Sequence, residues 1–175
     1  MRVKLLIAAF SMMCMLSLSA EAKTKPVPAP GYNPFTPSEQ VLATKLHRTG
    51  VAVIKQGDRL MLVVPIDSYF MPASTRVRDN RKESLQEIAR LVGNYSRRFV
   101  RPKIYVNGYT DKIYALKTRE ELSLQYAQIM TSYLWAFGVP GNIISTHGYG
   151  AEHGIASNEN STGAAFNRRI EIIVK

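Results

Sequence analysis

Lys103-Ile104-Tyr105-Val106-Asn107-Gly108-Tyr109-Thr110-Asp111 is the stretch on which the fold turns. Lys103 to Asn107, with Ile104, Tyr105 and Val106 at its centre and Pro102 before it, reads as a strand of buried type. Gly108 opens a loop to Leu116, which leaves Asp111 just beyond the strand end. A carboxylate there can accept charge-assisted hydrogen bonds from an amine, although a turn or helix cap is the commoner use of an Asp. Upstream, Asp79 to Phe99 places Leu85, Ile88, Ala89, Val92, Tyr95 and Phe99 on one helical face, with Asp79 or Asn80 as cap. Downstream, Thr118 to Phe137 reads as a second helix, ended by Gly138 and Pro140. Further out, Val51 to Ile54 and Arg59 to Val64 form a hairpin across Gln56-Gly57-Asp58. Pro65 to Thr75 reads as loop. Asn142 to Thr146 is a strand opening into Gly148-Tyr149-Gly150, Asn158 to Gly163 is polar loop, and Arg169 to Val174 is a closing strand. The order is ββαβαβ, which predicts an α+β fold: a mixed sheet with both helices packed on one face.

The chain has 175 residues, 23 Lys+Arg against 13 Asp+Glu, one Cys and three His. A single Cys excludes an intrachain disulfide and a CxxC centre. The His residues stand apart at 47, 147 and 153, so neither a metal site nor a cofactor is expected. Apolar residues make up 46%, enough for a packed core. The net charge of +10 comes with two basic clusters, Arg76, Arg78, Arg81, Lys82 and Arg97, Arg98, Arg101, Lys103. We read both as solvated faces.

Arg2 and Lys4 precede the uncharged run Leu5 to Ser19, and Ala20-Glu21-Ala22 follows with small residues at both cleavage positions. This reads as a signal peptide, residues 1–22, cut after Ala22. The run is short of the roughly 20 apolar residues that span a bilayer. Lipidation at Cys14 is the alternative, although Met13 is larger than a lipobox prefers. An exported basic protein meets anionic envelope polymers rather than nucleic acid, and no nucleic-acid partner is expected. Residues 23–49 read as a Pro-rich tether, with Pro26, Pro28, Pro30, Pro34 and Pro37, followed by a short helix from Ser38 to Leu46 capped by Ser38.

Chemistry-bearing motifs are few. Gly148, Gly150 and Gly154 lack the GxGxxG spacing, and no helix pattern follows them. No nucleophile elbow or paired catalytic carboxylate is present, so no catalytic residue is assigned and an enzyme is not expected. Asn94-Tyr95-Ser96 matches a glycosylation sequon but lies within a predicted helix.

Several stretches taken in order resemble OmpA-like peptidoglycan-binding domains. Tyr105 to Asp111 is similar to the family's strand and GxTD loop, and Leu122-Ser123 with Ala127 to its LSxxRA helix. Gly138-Val139, His147-Gly148-Tyr149-Gly150 and Asn167-Arg168-Arg169-Ile170-Glu171 match its GV, GyG and NRRVE stretches. Phe70 and Ser74 stand at its FxxxS segment. The likeness covers residues 50–175. It implies a periplasmic, non-enzymatic domain at the peptidoglycan or outer membrane, with an aspartate and an arginine gripping the amine and carboxylate of diaminopimelate. Asp111 inherits the amine role, with Thr110, Tyr126, Asn167, Arg168 and Arg169 as further ligand residues. This chain departs from the family where Tyr126 stands at the helix arginine, Ala164 at the first arginine of GRAxNRR and Tyr109 at the usual histidine.

Two consequences are expected. Arg119, seven residues before Tyr126 and about 10 Å away along the helix, is a candidate replacement for the arginine. Alternatively, Tyr126, Ile129 and Tyr133 form an exposed stripe that docks another envelope protein, the peptidoglycan site having been given up. The layout of signal peptide, proline tether and single domain also resembles the small OmpA-like component of Dot/Icm (type IVB) secretion systems, whose subunits would then be partners.

Overall fold

The computed structural model describes residues 34–113 and 116–175. The expected signal peptide, Cys14 and most of the proline tether lie outside the described residues. The first helix, α1, is Pro37–Arg48. Its cap is Thr36 rather than Ser38: Thr36 Oγ1 accepts from the Glu39 N–H at 3.3 Å, and Glu39 Oε2 accepts from the Thr36 N–H at 2.7 Å. Pro37 takes the first helical position, where its missing N–H costs nothing, and this moves the start ahead of Ser38. Buried Glu39 also pairs with Arg98, whose guanidinium donates to the Pro34 carbonyl at 3.0 Å. Leu46 is fully buried, so α1 is packed onto the domain.

Strands β1 (Ala52–Gln56) and β2 (Arg59–Pro65) form the hairpin, with Gly57 at φ 58° in the turn. The segment read as loop then contains one helical turn, α2 (Ile66–Tyr69), and a bridge from Phe70 to Val77. A 3-10 turn, Asp79–Arg81, leads into α3 (Lys82–Ser96). Leu85, Ile88, Ala89, Val92 and Tyr95 on α3 are all buried, as their spacing predicts, whereas Phe99 lies beyond the helix end and is partly buried against the core.

Strand β3 is Ile104–Tyr109, α4 is Leu116–Ala136 and β4 is Ile144–Gly148. Helix α5, Ser161–Asn167, replaces part of the expected polar loop; Asn160 Oδ1 caps it through the Gly163 N–H at 2.7 Å. Seven residues are too few to show a hydrophobic period. Strand β5 (Arg169–Val174) ends the fold.

The sheet order is β1-β2-β5-β3-β4, antiparallel except for the β3–β4 pair. Leu60, Leu62 and Val64 on β2, Ile104 and Val106 on β3, and Ile170, Ile172 and Val174 on β5 form one apolar face, packed with residues of α3 and α4 in a single core. Among the described residues, no helix is long and apolar enough to cross a membrane.

Candidate functional site

Register places the site. Arg169, the first residue of β5, pairs with Pro65 at the end of β2 and with Tyr109 at the end of β3. Asp67, Asp111 and Arg168 each lie within two residues of that rung. Three charged groups far apart in sequence therefore meet beyond one end of the sheet.

Arg168 joins them. Its Nε and one terminal nitrogen donate to Asp67 Oδ1 and Oδ2 at 2.8 and 2.6 Å, a forked pair. Its other terminal nitrogen donates to Asp111 Oδ2. The Asp67 carboxylate above all, joined by Asp111 and opposed in part by burial, holds the guanidinium still more firmly protonated than usual. Asp111 is 1% exposed, and its Oδ1 accepts from the Ile113 N–H at 3.0 Å. The Thr110 N–H donates to the Gly150 carbonyl at 2.7 Å and the Tyr149 N–H to the Gly108 carbonyl at 3.0 Å, which ties the end of β3 to the loop after β4.

Above these charges lies a groove of about 420 Å³, a size that suits a small ligand. Asp67, Arg78, Thr110, Asp111, Tyr126 and Arg168 line it, with apolar walls from Ile66, Phe70, Met71, Ile113 and Leu122. Thr110 Oγ1 is buried and has no hydrogen-bond partner among the described residues. A buried hydroxyl left unpaired is costly, and a ligand donor or acceptor in the groove would remove that cost.

Four of the seven expected ligand residues come together here: Thr110, Asp111, Tyr126 and Arg168. The other three have different work. Asn167 Oδ1 accepts from the Ile155 and Ala156 N–H groups at 2.8 and 3.1 Å, and its Nδ2 donates to the Ala156 carbonyl at 2.8 Å, pinning the loop before α5. Arg169 is 3% exposed, lies 4.0 Å over the Tyr109 ring and donates to Glu171 Oε1 at 2.8 Å. Tyr109 stacks on Tyr149 at 5.4 Å. Burial pushes the Tyr109 phenol up to about 12, Glu171 adding to the effect and Arg169 opposing it. Arg119 does not line the groove. It lies beside Gly150, where an added Cβ would stand 3.4 Å from Arg119 Cβ, and its Nε is buried without a partner among the described residues.

The expected stripe of Tyr126, Ile129 and Tyr133 is not fully exposed. Tyr126 is 6% exposed, with its ring edge-on to Phe70 at 4.7 Å and its hydroxyl donating to the Ser74 carbonyl at 3.3 Å. Ile129 and Tyr133 are half-buried against the core. Helix α4 is flanked by the sheet on one side and by α3 on another, and two flanks bury a broader face than one. Its outward residues include Trp135, 69% exposed.

Sequence reading misses Asp67 and Arg78. Asp67 lies in the stretch read as loop and is 101 residues from Arg168, its partner. Arg78 belongs to a basic cluster read as a solvated face. In that cluster Arg81 is in fact tied down, donating to the Ser68 carbonyl at 3.0 Å and lying over the Tyr69 ring.

A two-layer domain with a mixed five-stranded sheet, two main helices on one face and a charged groove at the end of its central strands is the architecture of OmpA-like domains. The chain belongs to the OmpA family, whose model matches residues 69–168. It is 35% identical over 136 residues to the probable lipoprotein YiaD of Escherichia coli, covering 77% of this chain and 59% of that protein. It is 44% identical over 72 residues to the peptidoglycan-binding protein ArfA of Mycobacterium tuberculosis, covering 41% of this chain and 22% of that one. Among solved structures, the cell wall anchor of the T6SS from Pseudomonas aeruginosa superposes with a TM-score of 0.64 at 31% identity, over 77% of this chain and 94% of that one. The chain thus spans 59% of the length of the first of these curated relatives and 22% of the second.

Proposed function

We propose that this domain binds peptidoglycan without chemical conversion and holds an envelope assembly against the cell wall. The groove takes the zwitterionic end of a diaminopimelate-type stem peptide. Its ammonium rests against the Asp67–Asp111 side and the Thr110 hydroxyl. The observation that carries this reading is a buried, unpaired Thr110 hydroxyl in a groove with the Asp111–Arg168–Asp67 network. Such a network costs desolvation energy that folding alone does not require, and it presents fixed charges to a polar ligand. Likeness to ArfA, a peptidoglycan-binding protein, and to the cell wall anchor of a type VI system supports the same reading.

The chain would act in the periplasm after export through residues 1–22, held by its tether or by a lipid on Cys14. The intact mass of protein recovered from the envelope distinguishes cleavage after Ala22 from lipidation. The assembly served would be a secretion machine of the type IVB kind. Supporting this are the layout of the sequence and the likeness to an anchor of another secretion system. Cross-linking in cells that captures secretion subunits tests it.

The binding test is co-sedimentation with diaminopimelate-type sacculi. Wild-type protein should pellet, and Asp111→Ala should reduce pelleting at matched salt. Equal pelleting of both would sink the groove reading. Release of muropeptides by the pure protein would contradict a purely binding role.

A further inference from the structure

We infer that Arg78 is the residue that reads the carboxylate beside the distal amine of diaminopimelate in the stem peptide, an inference that rests on the peptidoglycan reading above. The groove is lined by two guanidinium groups, Arg168 and Arg78. All three nitrogens of Arg168 are engaged by Asp67 and Asp111, so its charge is already neutralised from both sides. Tyr126 contributes no charge, and its hydroxyl is turned to the Ser74 carbonyl. Arg119 lies off the groove, beside Gly150.

Arg78 is different. Among the described residues it has no carboxylate partner. Its backbone is held by the N–H bond to the Tyr69 carbonyl at 2.9 Å. Its Nη2 reaches the Asp67 backbone carbonyl at 3.4 Å, which is long for a hydrogen bond and easily exchanged for a better acceptor. The Asp67 side chain meanwhile faces Arg168. One cation with an open fork therefore lies next to the carboxylate pair, in the same groove. A ligand carrying an ammonium and a carboxylate on one carbon can satisfy both sides at once. A ligand with the ammonium alone leaves Arg78 unanswered. Bidentate capture of carboxylate is what a guanidinium does and an ammonium does not.

The consequence is selectivity. Diaminopimelate differs from lysine by one carboxylate beside the distal amine, so Arg78 sets preference between the two stem types. The test is calorimetric titration of the purified full chain with two synthetic tripeptides, Ala-isoGlu-diaminopimelate and Ala-isoGlu-Lys. Wild-type protein should bind the diaminopimelate peptide about tenfold more tightly, the scale of one charge-assisted contact at a partly exposed site. Arg78→Ala should erase most of that preference by weakening the diaminopimelate peptide alone, while leaving the melting temperature in place. Arg78→Lys should keep only part of it. Wild-type selectivity that survives Arg78→Ala overturns this inference and leaves the peptidoglycan reading intact. Wild-type protein that binds neither peptide overturns both.

Discussion

Replacing Gly108 by Ala should loosen the contact between α4 and the sheet, and the size of the effect follows from the backbone. A Cβ on Gly108 would run into the Ser123 carbonyl oxygen, lie 2.8 Å from the Ser123 carbonyl carbon and 3.3 Å from Ala127 Cβ. Gly148 on the neighbouring strand is also close: its Cβ would stand 2.5 Å from the Leu124 nitrogen. Neither glycine is there for a left-handed backbone; each lets helix backbone rest directly on strand backbone. The obstacle at Gly108 is main chain, which no rotamer change can move aside. Overpacking of a rigid core costs about 1–3 kcal/mol, and a main-chain clash belongs at the upper end. Roughly 3 kcal/mol lowers the melting temperature of a domain this size by about 6–12 °C. Gly93→Ala on α3 is the control. Its Cβ would meet Val139 Cγ2 at an ordinary 3.6 Å, so helix propensity should make it neutral or stabilising by about 0.5–1 kcal/mol. Calorimetric melting of the three proteins decides. A Gly108→Ala variant that melts with wild type would refute the close approach of α4 to β3.

Tyr126→Ala should cost about 3–5 kcal/mol in denaturant melts, because it empties core volume against Phe70, whereas Tyr126→Phe should cost about 1 kcal/mol for the bond to Ser74; near-zero cost for the alanine variant would restore the exposed-stripe reading. Glu39→Ala should destabilise by about 3–5 kcal/mol and expose α1 to limited proteolysis, since Glu39 is 2% exposed and pairs with Arg98; unchanged cleavage would show α1 to be undocked. Tyr109 has its phenol raised from 10.0 to about 12, so the fold keeps its proton where the unfolded chain gives it up. That contribution is whole below about pH 10 and lost as pH rises toward about 12, so melting temperatures across this range should fall more steeply for wild type than for Tyr109→Phe. Parallel curves would rule out Tyr109 as a source of the alkaline loss.

What is legible in the sequence is local and periodic. The 3–4 spacing of Leu85, Ile88 and Val92 marks α3, and Gln56-Gly57-Asp58 marks the hairpin turn, because each signal lies within one element. Helix α5 carries no such signal, being short and rich in small residues. The start of α1 depends on a choice between Thr36 and Ser38, made by where Pro37 is tolerated. Sheet order is not legible, since insertion of β5 between β2 and β3 is a pairing of distant segments. The site divides the same way. Asp111 stands out as a carboxylate at a strand end. Its network does not, because Asp67 and Arg168 reach it only through the rung at Arg169. Helix geometry alone misplaces Tyr126, because it cannot tell that α3 closes over α4 on a second side.

The most direct test of the central claim is to map backbone amide shifts on titrating the full chain with a soluble disaccharide-tripeptide of the diaminopimelate type. Saturable shifts concentrated at Asp67, Arg78, Thr110, Asp111 and Arg168 are expected. Shifts centred elsewhere, on the outward face of α4 around Trp135 for example, or no shifts at all, would contradict that claim.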